Sequence, residues 1–186
     1  WLYQAGVPKS ALLAHSAKLE AIDGALADFI AGKKDAAALN ARTWVTAEWV
    51  HFLNGYSEKA NAAQMAALDA AYGLTQRRNR EIAMRWYPLA ERSGYAAARV
   101  ELGKFVERVG RRKLIMPVYK ALVATPDGLA FAEQAFARAK PGYHPITTGS
   151  VEGVIAEAKD KAASTAAPFK PATPATPANG APTSIK

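Results

Sequence analysis

Residues 78–126 read RNREIAMRWYPLAERSG (78–94), YAAARVELGKFVERVG (95–110) and RRKLIMPVYKALVATP (111–126). In the first segment Ile82, Trp86 and Leu89 recur at i, i+4 and i+7, the spacing of one helix face. Gly94 and Gly110 punctuate the run, and Thr125-Pro126 is an N-cap followed by a proline at the first helical position. The stretch predicts helices over about Arg78–Ser93, Tyr95–Val109, Leu114–Ala124 and Pro126–Lys140, joined by one to four residues. Links that short make consecutive helices near-antiparallel neighbours. No segment alternates with period two for long enough to be a strand, so the fold class is all-α. Short-linked helical hairpins of similar length are the pattern of an α-solenoid two layers deep, and a compact bundle is the alternative.

The pattern extends to both sides. Leu12, His15, Leu19, Ile22, Leu26, Phe29 and Ile30 mark one face of a helix over Ser10–Ala31, closed by Gly32. Asp35 is positioned to cap a short helix through Asn40, and Thr46 to cap one that turns Trp49, Phe52 and Leu53 inward and stops at Asn54-Gly55. Ser57 opens the next, with Met65, Leu68 and Tyr72 inward and Gly73 as terminator. Pro145 starts a last helix expected to end near Asp160. The domain reading is a connector over 1–8, a helical domain over 9–160, and a tail over 161–186 rich in Ala, Pro, Thr and Ser, a composition expected to be disordered.

Composition removes several chemistries. The chain has no cysteine, so disulfides, thiolate metal sites and cysteine nucleophiles are excluded. No run approaches the ~18 consecutive apolar residues of a membrane span, and no membrane partner is expected. The sequence opens at Trp1, without an initiator methionine or a leader pattern, and reads as a piece of a longer protein. Of the net charge of +8, residues 75–113 carry +7, with eleven Lys/Arg against four Glu. A field that concentrated calls for an anionic ligand, substrate or neighbour.

The cations peak at Gly110-Arg-Arg-Lys113. Because proline is tolerated only in the first turn of a helix, Pro117 places the next helix start near Leu114–Met116 and leaves Arg111–Lys113 as an extended lead-in. Arg111 and Lys113 then share one side and Arg112 faces the other. With the free N–H groups of a helix start the segment is either a receptor for a carboxylate or phosphate, or a solvated basic turn. Elsewhere the structural reading is the stronger one. His15, His51 and His144 lack partners at metal-ligand spacing, there is no H-E-x-x-H, and no Ser/His/Asp order or glycine-rich phosphate loop is present. Trp44, Trp49, Trp86 and Tyr87 read as core residues rather than stacking platforms, and Arg77-Arg-Asn-Arg80 as a solvated helix start.

Trp1-Leu-Tyr with Gly6-Val-Pro8, Asn79-Arg-Glu-Ile-Ala-Met-Arg-Trp86, Gly110-Arg-Arg-Lys113, Pro117-Val-Tyr-Lys-Ala-Leu122 and His144-Pro-Ile-Thr147 occur in one order along the chain. In this the sequence resembles the C-terminal helical domain of the leukotriene A-four hydrolase type of zinc aminopeptidase, a gluzincin metallopeptidase family, over about residues 1–156. The resemblance implies a two-layered, armadillo- or HEAT-like, right-handed stack of helices. It also implies a partner outside this stretch, an N-terminal catalytic domain that holds the zinc with H-E-x-x-H and a further glutamate, so no cofactor and no catalytic residue is expected here. In the family the arginine and lysine of Gly-Arg-x-Lys hold the carboxylate of the substrate, and they map onto Arg111 and Lys113. The chain departs from the family in Arg112, in a shorter first half and in the Pro/Ala/Thr tail, which leaves open any epoxide-hydrolase activity. The expected role is a non-catalytic domain that closes the active-site cleft and anchors the C-terminal carboxylate of short peptides. A basic helical module for nucleic acid or an acidic protein partner is the alternative.

Overall fold

The computed structural model describes residues 16–56 and 60–166. The connector at 1–8, His15, Ser57 and the part of the tail beyond Ala166 lie outside the described residues. Eight α-helices form among them: α1 Ala17–Ile30, α2 Thr46–Gly55, α3 Ala62–Tyr72, α4 Arg80–Arg92, α5 Arg99–Arg108, α6 Arg112–Leu122, α7 Pro126–Ala139 and α8 Pro145–Ala166. No strand occurs among the described residues.

Local chemistry sets most boundaries. Side-chain oxygens of Ser16, Asn61, Asn79 and Thr125 accept first-turn N–H groups of α1, α3, α4 and α7. Gly32, Gly73 and Gly94 take positive φ after α1, α3 and α4, which suits a residue without Cβ. Several boundaries differ from expectation. Val45 rather than Thr46 holds the N-cap position of α2, α3 starts at Ala62 under Asn61 and not at Ser57, and α4 starts at Arg80 rather than Arg78. The short helix after Asp35 is a pair of 3₁₀ turns, Ala36–Leu39 and Ala41–Thr43, with Asn40 left-handed between them. The residues after Gly94 begin as a 3₁₀ turn, so α5 starts at Arg99. α8 runs to Ala166 instead of stopping near Asp160, because its last turns are rich in alanine, the best helix former. Finally α6 starts at Arg112, so Pro117 stands in its second turn. An interior proline costs about 3 kcal/mol, but α6 buries Leu114, Ile115, Val118, Tyr119 and Leu122 along one face, and that burial outweighs it. α4 carries Pro88 in the same way, with Ile82, Trp86, Tyr87 and Leu89 buried.

The helices pack in two rows. α1, α2, α4, α6 and α8 lie side by side in that order, and α5 lies beside α7. Within each row neighbours run parallel. Lys18 and Asp23 of α1 meet Glu48 and His51 of α2, Asn79 meets Thr46, Glu81 meets Lys113, and Arg112 meets Ser150. In the other row Arg99 and Glu107 of α5 meet Asp127 and Arg138 of α7. The 3₁₀ turns at 36–43 return the chain to the starting edge, so α1 and α2 pair in parallel. The amino ends of α1, α2, α4, α6 and α8 therefore share one edge of the stack.

A continuous core lies between the rows. Trp86 is fully buried with its Nε1–H on Thr75 Oγ1 (3.0 Å), and Tyr87 donates to Thr75 O (2.9 Å). Tyr143 donates to Val106 O (2.7 Å) and accepts from Tyr119 (3.3 Å), which fixes the approach to α8.

Candidate functional site

The segment that ends α5 and starts α6 lies on the shared edge. Gly110 is not in the left-handed region; a Cβ there would stand 3.3 Å from the Gly142 carbonyl oxygen, a tight contact that glycine avoids. Its own carbonyl accepts from Thr147 Oγ1 (3.3 Å), which ties the turn to α8. Arg111 occupies the N-cap position of α6, and its carbonyl accepts from the N–H groups of Leu114 (2.9 Å) and Ile115 (3.3 Å). The first-turn N–H groups of Arg112 and Lys113 have no intrahelical acceptor, and no acidic residue stands in that turn.

The three cations diverge. Arg112 and Lys113 are helical, so they do not form the extended lead-in expected, and successive side chains are turned by about 100°. Arg112 Nε donates to Ser150 Oγ of α8 (2.7 Å). Lys113 Nζ lies 3.7 Å from Glu81 Oε1 of α4. Arg111 is exposed and makes no side-chain hydrogen bond or ion pair among the described residues. Arg111 is thus the one of the three with no side-chain partner among the described residues. A groove of about 630 Å³ runs from Arg112 and Lys113 past Met116 and Lys120, against Gly149 and Gly153 of α8.

Glu81 links the site to the rest of the row and was not singled out in the sequence. Its Oε2 accepts from Arg85 Nη1 (3.1 Å), and Arg85 Nε donates to Asn54 Oδ1 of α2 (2.9 Å). The Arg85 bond, with the nearby charge of Lys113, holds the Glu81 carboxyl below its ordinary range. The i, i+4 spacing of Glu81 and Arg85 was visible in the sequence; the approach of Lys113 depended on how α4 packs on α6.

The other candidates are structural. Trp49, Trp86 and Tyr87 are buried, and Trp44 packs its ring against Trp49 (5.1 Å) and Phe52 (5.2 Å), so none is a stacking platform. His51 pairs with Asp23 (2.6 Å) between α1 and α2. His144 Nδ1 accepts from the Ile146 N–H (3.2 Å) at the start of α8. Arg77 is half-buried over the Trp49 ring (4.8 Å), unlike a solvated helix start, whereas Arg78 and Arg80 are exposed. No three His, Asp or Glu side chains converge as a metal site among the described residues.

Residues 44–155, from the turn before α2 into α8, match the family described as leukotriene A4 hydrolase, C-terminal, and that span is more than half of the chain. The chain belongs to this family. It is 31% identical over 128 residues to leucine aminopeptidase 2 of Neurospora crassa, covering 67% of this chain and 18% of the relative. It is 29% identical over 112 residues to leucine aminopeptidase 2 of Phaeosphaeria nodorum, covering 59% and 18%. The solved structure of yeast LTA4 hydrolase in complex with bestatin superposes with a TM-score of 0.66 at 18% identity, over 82% of this chain and 28% of that one. The fold is therefore that of the family's C-terminal helical domain, and the chain spans under a fifth of the length of the curated relatives it matches.

Proposed function

We propose that this chain is the substrate-anchoring part of an aminopeptidase that acts on short peptides, closing the cleft of a catalytic domain supplied elsewhere in the parent protein. Arg111 and Lys113 hold the C-terminal carboxylate of the substrate. The observation that carries this reading is the exposed, unpartnered Arg111 beside the free first-turn N–H groups of α6, an arrangement complementary to a carboxylate. The zinc implied by the family has no fitting ligand set among the described residues, so it is assigned to the catalytic domain and no step is routed through it here. The burial of Trp86 and Tyr87 within the basic block removes two stacking platforms that a single-stranded nucleic acid would use.

A carboxylate held at a fixed distance from the reacting end favours peptides that span both points. The test compares kcat/KM of the parent enzyme and its Arg111→Ala variant on peptides with a free or an amidated C-terminus. The free peptide should lose activity and the amidated one should be nearly indifferent. Equal losses on both would remove Arg111 as a carboxylate anchor.

A further inference from the structure

Lys113 is tied to the body of the fold by a relay across three helices. Asn54 Oδ1, near the end of α2, accepts from Arg85 Nε (2.9 Å); Arg85 Nη1 donates to the carbonyl (2.8 Å) and carboxylate (3.1 Å) of Glu81; and Glu81 Oε1 faces Lys113 Nζ at 3.7 Å. Its two ends differ in freedom. The Arg85 side chain is 22% exposed and bonded at three points, whereas Lys113 is 63% exposed on a four-carbon stem. At 3.7 Å the Lys113–Glu81 contact is a charge pairing and not a hydrogen bond, so the ammonium keeps its donors for another acceptor while Arg85 satisfies Glu81.

We propose that Glu81, clamped by Arg85, is a positioning residue that holds Lys113 in place for a substrate carboxylate. The proposal rests on the reading of Lys113 as an anchor. Two effects of Glu81 on carboxylate binding oppose each other. Ordering a long side chain in advance is worth about two- to tenfold in affinity. Repulsion between an incoming carboxylate and Glu81, 42% exposed beside an exposed Lys113, acts across solvent and is screened by physiological salt, so it takes back less. Ordering wins. Glu81→Gln should therefore weaken carboxylate binding even though it makes the site more positive.

The experiment uses the 186-residue chain with lysine labelled by carbon-13. Side-chain order at Lys113 Cε is read by relaxation in the wild type, in Glu81→Gln and in Arg85→Gln, which keeps the Glu81 charge but removes its clamp. Trialanine and its C-terminal amide serve as probes. Lys113 should lose order in both variants, and the Kd of trialanine should rise about two- to tenfold. The amide should be unaffected, and the Glu81→Gln effect should vanish in a Lys113→Ala background. Unchanged order in both variants, or tighter trialanine binding by Glu81→Gln, overturns the positioning role. If order falls while Lys113→Ala leaves the discrimination between acid and amide intact, Lys113 is not an anchor; the relay stands and its assignment to carboxylate recognition is overturned.

Discussion

Replacing Arg111 by alanine should move stability and activity in opposite directions. The side chain is exposed, caps nothing, and has no partner among the described residues, so its removal forfeits no contact. It does relieve a cation facing the positive end of α6, which is worth about 0.3–1 kcal/mol at low ionic strength. For a chain of this size 1 kcal/mol corresponds to roughly 2–4 °C, so Tm should rise by up to about 4 °C and the gain should fade in high salt. If Arg111 anchors a carboxylate as proposed, the same change in the parent enzyme should remove charge-assisted hydrogen bonds worth about 1.5–3 kcal/mol, or roughly ten- to a hundredfold in kcat/KM for a peptide with a free C-terminus. Lys113→Ala should cost less, because an ammonium offers a point charge where guanidinium offers a planar fork. Arg112→Ala should cost least, since Arg112 is turned to Ser150. Thermal melts at two salt concentrations and steady-state kinetics on free and amidated peptides read both effects. A lower Tm for Arg111→Ala would refute the reasoning, because it would mean that the residue supports the fold.

Three further outcomes follow from the packing. Thr75→Val removes the acceptor of the buried Trp86 indole and should cost about 1–3 kcal/mol, seen as a loss of roughly 2–10 °C in Tm that Thr75→Ser largely restores. Arg99→Ala strands the Glu91 carboxylate, only 6% exposed, whereas Asp127, 80% exposed, is left to solvent; partial exposure of Arg99 brings the expected cost down to about 2–3 kcal/mol, with Arg99→Lys intermediate in urea denaturation. The pH dependence of Tm should be a plateau with two falling limbs. Lys18 holds Glu48, and Arg85 with Lys113 holds Glu81, below the ordinary value of 4.5, so their contribution is complete above that pH and lost as pH falls through the lower folded values. Burial raises Tyr119 and pushes Tyr87 up to about 12 from 10, so their contribution is complete below pH 10 and lost as pH climbs toward 12. A Tm that rises on acidification below pH 4 would contradict the acid limb.

Most of the fold was legible because its boundaries are written in local chemistry. Gly73, Gly94 and the Thr125-Pro126 pair act where the sequence places them, and the faces of α2 and α4 are buried as their periods require. The misreading of α6 has a tertiary cause. Pro117 carries a strong local preference for a helix start, yet α6 begins five residues earlier because its buried face overrides that preference. The error carried into the site, since an extended lead-in put Arg111 and Lys113 on one side, whereas helical geometry sends Arg112 to α8 and Lys113 to α4. The Glu81–Lys113 approach joins residues 32 positions apart and depends on which helices become row neighbours, which no local pattern specifies.

The charge at the start of α6 stands out against the care taken elsewhere. α1, α3, α4 and α7 each begin under a side-chain cap, and the acid in the first turn of α4 is committed to Arg85 and Lys113. α6 begins with arginine at the cap position, two more cations in its first turn and no acid there to offset them. Each cation so placed costs about 0.3–1 kcal/mol, and serine or aspartate at the cap would recover about 1 kcal/mol more. α2 and α5 also start without a side-chain cap, but each has an acid in its first turn, Glu48 and Glu101; on the proposed reading the uncompensated cost at α6 is that of a site kept for binding. The parallel row makes that cost larger, because the amino ends of α4 and α8 lie on the same edge and add their own positive ends, with Arg78 and Arg80 alongside. An anion bound at Arg111 would be stabilised by the same field that disfavours the empty arrangement, so on the proposed reading the charge that weakens the free domain is the charge that would recognise a carboxylate.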